Sequence, residues 1–256
     1  MPSTVAMYVF AESHPCEAVL AAAAAKGIRV RRRELPPGAH RLIMLGLFQR
    51  PTVPGMVVGL ERIHGSSAIF QRLDKLSPCT PPLYPDRSER GRAVRQAEAW
   101  GAGPFQDIGR RVVWGHLRRS PEAVHVLLAD GTANPIARQA KRLLGRPLAT
   151  VAATANGATD DRVRADLAAI PDHLDRVDEL IDRGVIGTAE PTAADFQILS
   201  SIGVWMILAD VRPAIEHRPC GRAAAALFPT YVDRPGVAAG VLPADWLAPL
   251  RTASPR

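Results

Sequence analysis

A serine and a cysteine stand three residues apart at the start of an alanine-rich segment, in the run Ser13-His14-Pro15-Cys16. A hydroxyl at a helix start can donate a hydrogen bond to an anion. A cysteine in the first helical turn can be held as a thiolate by the unpaired N–H groups there. The same run is also typical of a plain serine N-cap followed by a small buried thiol. Taken alone, it favours the plain cap.

Two further runs could bind a ligand. In "TVPGMVV", Pro54 stands between a turn and a strand. A cis bond there would leave the N–H and C=O of Val53 free to pair with an extended peptide, although an ordinary trans proline also fits. In "HGSSAIFQRLDKL", Gly65 allows a tight turn and Ser66 can cap a helix. The free N–H groups at that helix start, Ser67 included, suit a carboxylate or phosphate, and simple capping is the alternative.

The hydrophobic pattern predicts the elements that position these runs. Residues 5–76 are expected to fold in the order β-α-β-α-β-β-α, with Gly27 ending the first helix. The first β-α-β predicts a parallel pair with a right-handed crossover, and the closing β-β predicts a hairpin. A mixed four-stranded sheet with helices on both sides follows. The predicted strands are 5–10, 28–35, 56–60 and 61–65, and the predicted helices are 15–26, 39–48 and 66–76.

Helical periodicity dominates the remainder of the chain, after a proline-rich linker at residues 78–88. The pattern predicts one long helix or two over 89–119, bent near Gly101–Pro104. It predicts a helix over 121–145 interrupted near 130–135, and another over 160–184 that breaks or restarts at Pro171. "PTAADF" predicts a capping box, with Thr192 as cap and Asp195 three residues on. The tail from residue 228 is expected to be irregular.

Composition limits the classes of protein. The chain has 256 residues, 47% hydrophobic and 22% charged, with a net charge of +7. Its arginines are scattered and its aromatics scarce, which argues against nucleic-acid binding and favours an anionic small molecule. Three cysteines make no disulfide framework, and no segment reaches the roughly 18 apolar residues of a membrane span. The N-terminus is a poor signal peptide, so a reducing cytoplasm is expected.

Together, these motifs resemble the glutathione S-transferase superfamily over most of the chain. "SHPCEAVLAAAAAKGI" is similar to the family's first helix, "TVPGMVV" to its cis-proline strand, and "GSSAIFQRLDKL" to its Glu-Ser-x-Ala-Ile segment. "PTAADF" is similar to the capping box of its helical half. A bacterial subgroup of unknown substrate shares "SHPC", "GS-x-AI" and a tail of the form FP-x-Y…LP-x-x-W. The resemblance implies an α/β, thioredoxin-like domain at 1–77 and an all-α helical-bundle domain at 89–256.

Carried over by position, the resemblance implies a role for each ligand-facing residue. Ser13 would hydrogen-bond and activate the thiol, and Val53, before Pro54, would pair with the cysteine of the bound tripeptide. Ser66 and the N–H of Ser67 would hold its γ-glutamyl carboxylate. Gly65 stands where the family usually has an acid, and Cys16 where a hydrophobic or small residue is common, so the chemistry of Cys16 is open. The candidates for the glycine carboxylate are, by location only, His40, Arg41 and Arg50.

The resemblance implies a transferase that conjugates glutathione, or an analogous bacterial thiol, to a small hydrophobic electrophile. The protein is expected to need no metal and to form a homodimer. The electrophile would lie in a cleft formed with the helical domain, where Trp100 and Trp114 could line it or simply belong to the core. One alternative is a Cys16-dependent monothiol oxidoreductase or deglutathionylase, since no resolving cysteine lies nearby. Another is a non-catalytic thiol-binding protein with this fold.

Overall fold

A four-stranded sheet organises the first part of the chain in the computed structural model, which describes residues 5–10, 13–36, 39–86, 88–123, 135–233, 237 and 239–252. The strands are β1 (Val5–Val9), β2 (Val30–Glu34), β3 (Gly55–Val58) and β4 (Glu61–His64). Their order is β2-β1-β3-β4, with β1 and β2 parallel and the other pairs antiparallel. The mixed sheet and its closing hairpin are therefore confirmed.

Three helices accompany the sheet: α1 (His14–Ala25), α2 (His40–Phe48) and α3 (Ser66–Leu76). The alanine run of α1 favours a helix because alanine loses no side-chain entropy on folding. Gly27, at φ 65°, ends it as predicted. Alternate residues of β1 and one face each of α1 and α3 form the core here. Its fully buried members include Met7, Val9, Val19, Met56, Ile69, Phe70 and Leu73.

After the linker, the described residues form helices and one isolated β-bridge, between Leu208 and Val237. The α-helices are α4 (Glu89–Trp100), α5 (Gln106–Arg119), α6 (Pro135–Ala155), α7 (Asp160–Asp182), α8 (Ala193–Met206), α9 (Pro219–Leu227), α10 (Pro229–Val232) and α11 (Ala248–Thr252). A thioredoxin-like sheet followed by a helical region confirms the predicted fold class. The tail is not wholly irregular, because α10 and α11 lie within it.

Two proline positions behave differently. The predicted bend occurs between α4 and α5, in a π-helical turn at Gly101–Phe105 where Gly103 leaves helical geometry and Pro104 follows. At Pro171 the predicted break is wrong, because α7 runs through it. One buried face of α7, including Leu167, Ile170 and Leu174, keeps the helix continuous despite the lost N–H donor. The predicted interruption at 130–135 lies, apart from Pro135, outside the described residues.

The chain packs as two compact units. One comprises Met1–Ala102 with Arg183–Ser200, and the other Gly103–Asp182 with Ser201–Arg256. In the second unit, Phe105 stacks edge-on against the fully buried Trp205, with ring centroids 5.0 Å apart. The predicted domain ranges 1–77, 78–88 and 89–256 stay a prediction. Ser13, Val53, Gly65, Ser66 and Ser67, described below, lie in the first unit, whereas Trp114 belongs to the second.

The capping box forms as predicted at the start of α8. The Asp195 carboxylate accepts hydrogen bonds from the Thr192 N–H and hydroxyl, both at 2.8 Å, and from the Gly187 N–H at 2.6 Å. Burial raises the pKa of Asp195, while these three donors act against that rise. This motif is a structural anchor of the first unit.

Candidate functional site

Ser13 occupies the N-cap position of α1, with extended backbone geometry at φ −78° and ψ 107°. Its carbonyl accepts the N–H of Cys16 at 2.7 Å and of Glu17 at 3.0 Å, so the main chain begins the helix. Its half-buried hydroxyl makes no capping bond with the described residues. The Ser13 hydroxyl therefore caps no main-chain N–H of α1, unlike an ordinary serine cap, and hydrogen-bonds instead with the Cys16 thiol.

Cys16 lies one turn inside α1 and is fully buried. Burial raises the pKa of its thiol to about 12, although the Ser13 hydroxyl and the Phe10 main chain act against the rise. A thiol with such a pKa is protonated at neutral pH and is a poor nucleophile. The favourable field of the helix start does not overcome the loss of water around the sulfur.

The Val53–Pro54 peptide bond is cis. Val53 precedes β3, and its main-chain N–H and C=O have no hydrogen-bond partner among the described residues. Gly55 follows directly, where a Cβ atom would lie 2.6 Å from the ring of Phe48. Glycine is therefore required for α2 to pack this closely on the start of β3.

The start of α3 differs from the prediction in one respect. Gly65, not Ser66, occupies the N-cap position, with φ 89° and ψ 148°, a conformation that side chains other than hydrogen strongly disfavour. Ser66 is buried as the first helical residue, and the Ser67 hydroxyl donates to Glu98 Oε1 at 2.5 Å.

Strand register brings these three stretches to one end of the sheet, the end at which β1 finishes and β3 begins. Tyr8 pairs with Gly55, so the turn before β3 lies beside the end of β1, from which the chain passes to Ser13. The Gly65 N–H donates to the carbonyl of Pro54 at 3.0 Å, which ties the start of α3 to the same turn. A hydroxyl, a free main-chain segment and a helix start thus share one end of the sheet, where they could bind an anionic, extended ligand.

Of the three basic candidates, His40 has the closest link to this edge. Its half-buried ring lies against Phe10, with centroids 4.9 Å apart, and the Phe10 carbonyl accepts the Ser13 N–H at 3.2 Å. Burial, and then the neighbouring charge of Arg41, lower the pKa of His40. Arg41 and Arg50 are exposed. Trp100 and Trp114 are half-buried on α4 and α5.

Sequence reasoning missed Glu98 and Tyr84. Glu98 shares the buried face of α4 with Val94 and Ala97 and is 6% exposed. Burial raises the pKa of its carboxyl, while hydrogen bonds from Ser67 and Tyr84 act against the rise. The signal in the sequence was an acid four residues after the apolar Val94, on the same helix face. A buried acid needs hydrogen-bond partners.

The described residues contain no group of three or more His, Cys, Asp or Glu side chains placed to hold a metal ion. None of their helices is both long enough and apolar enough to span a membrane.

Comparison with known proteins identifies the family that residues 7–82 resemble. Residues 7–82 match the family described as "Glutathione S-transferase, N-terminal domain". No curated protein matches the sequence. Many solved structures do match, at identities that show the fold alone.

Three of those structures illustrate the likeness. A glutathione S-transferase from Rhodospirillum rubrum F11 is 19% identical with a TM-score of 0.60, over 96% of this chain and 99% of that one. The theta class glutathione S-transferase from Xanthomonas axonopodis pv. citri, solved with glutathione bound, is 18% identical with a TM-score of 0.58, over 95% and 99%. The β-etherase LigF from Sphingobium sp. strain SYK-6 is 14% identical with a TM-score of 0.56, over 89% and 99%. Residues 7–82 thus match a glutathione S-transferase N-terminal domain, and the chain as a whole has the fold of these glutathione S-transferase structures.

Proposed function

We propose that the protein is a transferase that conjugates a low-molecular-weight thiol, glutathione or an analogous bacterial thiol, to a small hydrophobic electrophile. The observation that carries the proposal is the Ser13 hydroxyl, which caps no main-chain N–H of α1 and lies at the end of the sheet shared with the Pro54 turn and the start of α3. A related structure, from Xanthomonas axonopodis pv. citri, holds glutathione.

Ser13 would activate the thiol. The thiol proton passes to solvent, and the Ser13 hydroxyl donates a hydrogen bond to the sulfur that stabilises the thiolate, helped by the positive end of the α1 dipole. Lowering the pKa of a thiol by about 2 units corresponds to about 2.7 kcal/mol, within reach of one charge-assisted bond and a helix start. The thiolate then attacks the electrophilic carbon, a carbon–sulfur bond forms, and the leaving group departs with its bonding electrons.

The thiol would be held along the same edge. The N–H and C=O of Val53, next to Pro54, pair with the ligand's main chain as an added strand would. Ser66 and the N–H of Ser67 donate hydrogen bonds to the γ-glutamyl carboxylate at the start of α3. His40 is the first candidate for the carboxylate at the other end of the ligand, since its ring lies against Phe10, and Arg41 and Arg50 are the others.

The test compares Ser13→Ala with Cys16→Ala. We expect Ser13→Ala to lower kcat/KM for conjugation of glutathione with a chloronitrobenzene by about a hundredfold, the factor that corresponds to 2 pKa units. We expect Cys16→Ala to keep most of the activity, because the wild-type thiol is buried and protonated. The reverse pattern would support the monothiol oxidoreductase. Binding of glutathione in a calorimeter without turnover would support the non-catalytic reading.

Two parts of the proposal concern the cellular setting. We infer a homodimer, from the family resemblance, and a cytoplasmic location, from cysteine usage. Cys16, Cys79 and Cys220 are all free thiols, as is usual in a reducing compartment. The mass in solution by light scattering tests the dimer, and fractionation of the source cells tests the location.

A further inference from the structure

Glu98 places a carboxyl group in the apolar interior of the first unit. It lies on the face of α4 that also carries Val94 and Ala97, and only 6% of its surface is exposed. A carboxyl group in such surroundings costs free energy unless hydrogen-bond donors surround it. The identity of those donors therefore indicates what the group is for.

Two hydroxyl groups supply the donors. The Ser67 hydroxyl donates to Glu98 Oε1 at 2.5 Å, and the Tyr84 hydroxyl also hydrogen-bonds to the Glu98 carboxylate. The Tyr84 oxygen lies 3.5 Å from the main-chain carbonyl of Ser67. Ser67, the second residue of α3, is thus held by its side chain through Glu98, and the Tyr84 hydroxyl lies beside it.

Tyr84 belongs to the predicted linker, yet that segment is fixed to the sheet unit. The Asp74 carboxylate accepts the N–H of Leu83 at 2.8 Å and of Tyr84 at 3.1 Å. Asp74 also pairs at 2.9 Å with Lys26, whose side chain is almost completely buried at the end of α1. The Leu83 carbonyl accepts the N–H of Ala193 at 2.8 Å. The main chain at Leu83 and Tyr84 is therefore fixed to Asp74 and to Ala193, which sets the position of the Tyr84 ring.

We propose that Tyr84 and Glu98 are positioning residues that hold the start of α3 in its ligand-binding geometry. The inference rests on the proposed function, in which Ser66 and the N–H of Ser67 hold the thiol's carboxylate. Main-chain donors bind an anion well only when their direction is set in advance. Since the Ser67 hydroxyl is already bound to Glu98, it cannot rotate to the ligand, and Ser67 contributes its directed N–H instead.

The test measures thiol binding by the full-length chain. Tyr84→Phe removes one hydroxyl from Glu98 and keeps the ring. We expect it to raise the Kd for glutathione in a calorimeter, and the KM for glutathione, by about fivefold, the size of one hydrogen bond. The KM for the electrophile should not change. Glu98→Leu should have a larger effect of the same kind, and Glu98→Gln, which keeps an acceptor for both hydroxyls, should recover most of the affinity.

The control is Arg72→Gln, which breaks the exposed 2.8 Å ion pair between α3 and Glu61 away from the start of the helix. It should leave the Kd for glutathione unchanged. A purely structural role for Tyr84 would lower the amount of folded protein while the Kd of the folded fraction stayed at the wild-type value. That result, with wild-type binding intact, would overturn this inference alone. Failure of the wild type to bind glutathione would overturn the proposed function and this inference with it.

Discussion

The starts of α1 and α3 look alike in sequence and differ in structure. Each has a serine at its predicted start, Ser13 at α1 and Ser66 at α3, and the sequence predicts that this serine caps the helix. At α1 the Ser13 hydroxyl makes no capping bond with the described residues, and the thiol behind it is sealed from water. At α3 Gly65 takes the cap position and Ser67 is bonded to a buried acid.

This difference separates two tasks. A group that must follow a sulfur atom through a reaction benefits from a hydroxyl that is not fixed to the main chain of its helix, as at Ser13. A group that must hold a carboxylate in one place benefits from donors whose direction is already set, as at Ser67. Similar serine motifs can therefore be suited to chemistry at one helix and to binding at the other. Three experiments test this difference between the starts of α1 and α3.

The largest expected effect concerns the sealed thiol at α1. In the native protein, iodoacetamide should modify Cys16 at least about a thousandfold more slowly than the exposed Cys79 near pH 8, because little thiolate forms when the pKa is about 12 and the sulfur is buried. Mass spectrometry of peptides taken over time gives both rates. Cys79 is the internal control, and the rates should converge in denaturant. Rapid native labelling of Cys16 would contradict the assignment of Ser13 as the acting group.

The second effect concerns the backbone at the start of α3. Gly65→Ala should lower the free energy of unfolding by about 1–3 kcal/mol, because the φ of 89° and ψ of 148° are essentially restricted to glycine. No atom lies within 4 Å of an added Cβ, so the cost comes from the backbone alone. Gly46→Ala in α2 is the matched control. It also meets open space and should change the stability by no more than about 1 kcal/mol, in the stabilising direction. Equal effects of the two changes, measured by denaturant titration, would contradict this account.

The smallest effect is the pH dependence of the Glu98 contribution. Burial raises the pKa of Glu98 in the folded state above its ordinary 4.5, so the folded protein holds the proton more tightly than the unfolded chain. The stability that Glu98 contributes should therefore fall as the pH rises from about 4.5 through that raised value. The difference in unfolding free energy between wild type and Glu98→Gln should therefore decline as the pH rises from about 4 to about 8.

Denaturant titrations at each pH measure that difference. The carboxyl of Asp195, whose pKa is also raised by burial, is present in both proteins, so its titration cancels. A difference that stayed constant with pH would mean that Glu98 does not titrate differently in the two states.

Much of the fold follows from local sequence. The alternation of β1 predicts a half-buried strand, the alanine run and Gly27 predict a helix and its end, and "PTAADF" predicts its capping box. These signals concern neighbours along the chain. Pro171 shows their limit, because the local rule predicts a break and the buried face of α7 overrides it.

The candidate site is less accessible to such reasoning. Ser13, Val53 and Ser66 can be picked out as candidates by type and by resemblance. That they share one sheet edge depends on the pairing of Tyr8 with Gly55 and on the bond from Gly65 to Pro54, and both pairings join distant parts of the chain. Glu98 and Tyr84 join α3 from 31 and 17 residues beyond Ser67, at distances for which no short motif exists.

By itself, the sequence determined the order of elements, the places where helices start and stop, and the residue types able to activate or hold a thiol. Those properties depend on backbone preference and hydrophobic period, which act between near neighbours. The tertiary structure adds that Cys16 is fully buried, that the Ser13 hydroxyl caps no main-chain N–H of α1, and that Glu98 holds Ser67. Burial decides whether a thiol or a carboxyl is charged, and burial is a property of how distant segments pack.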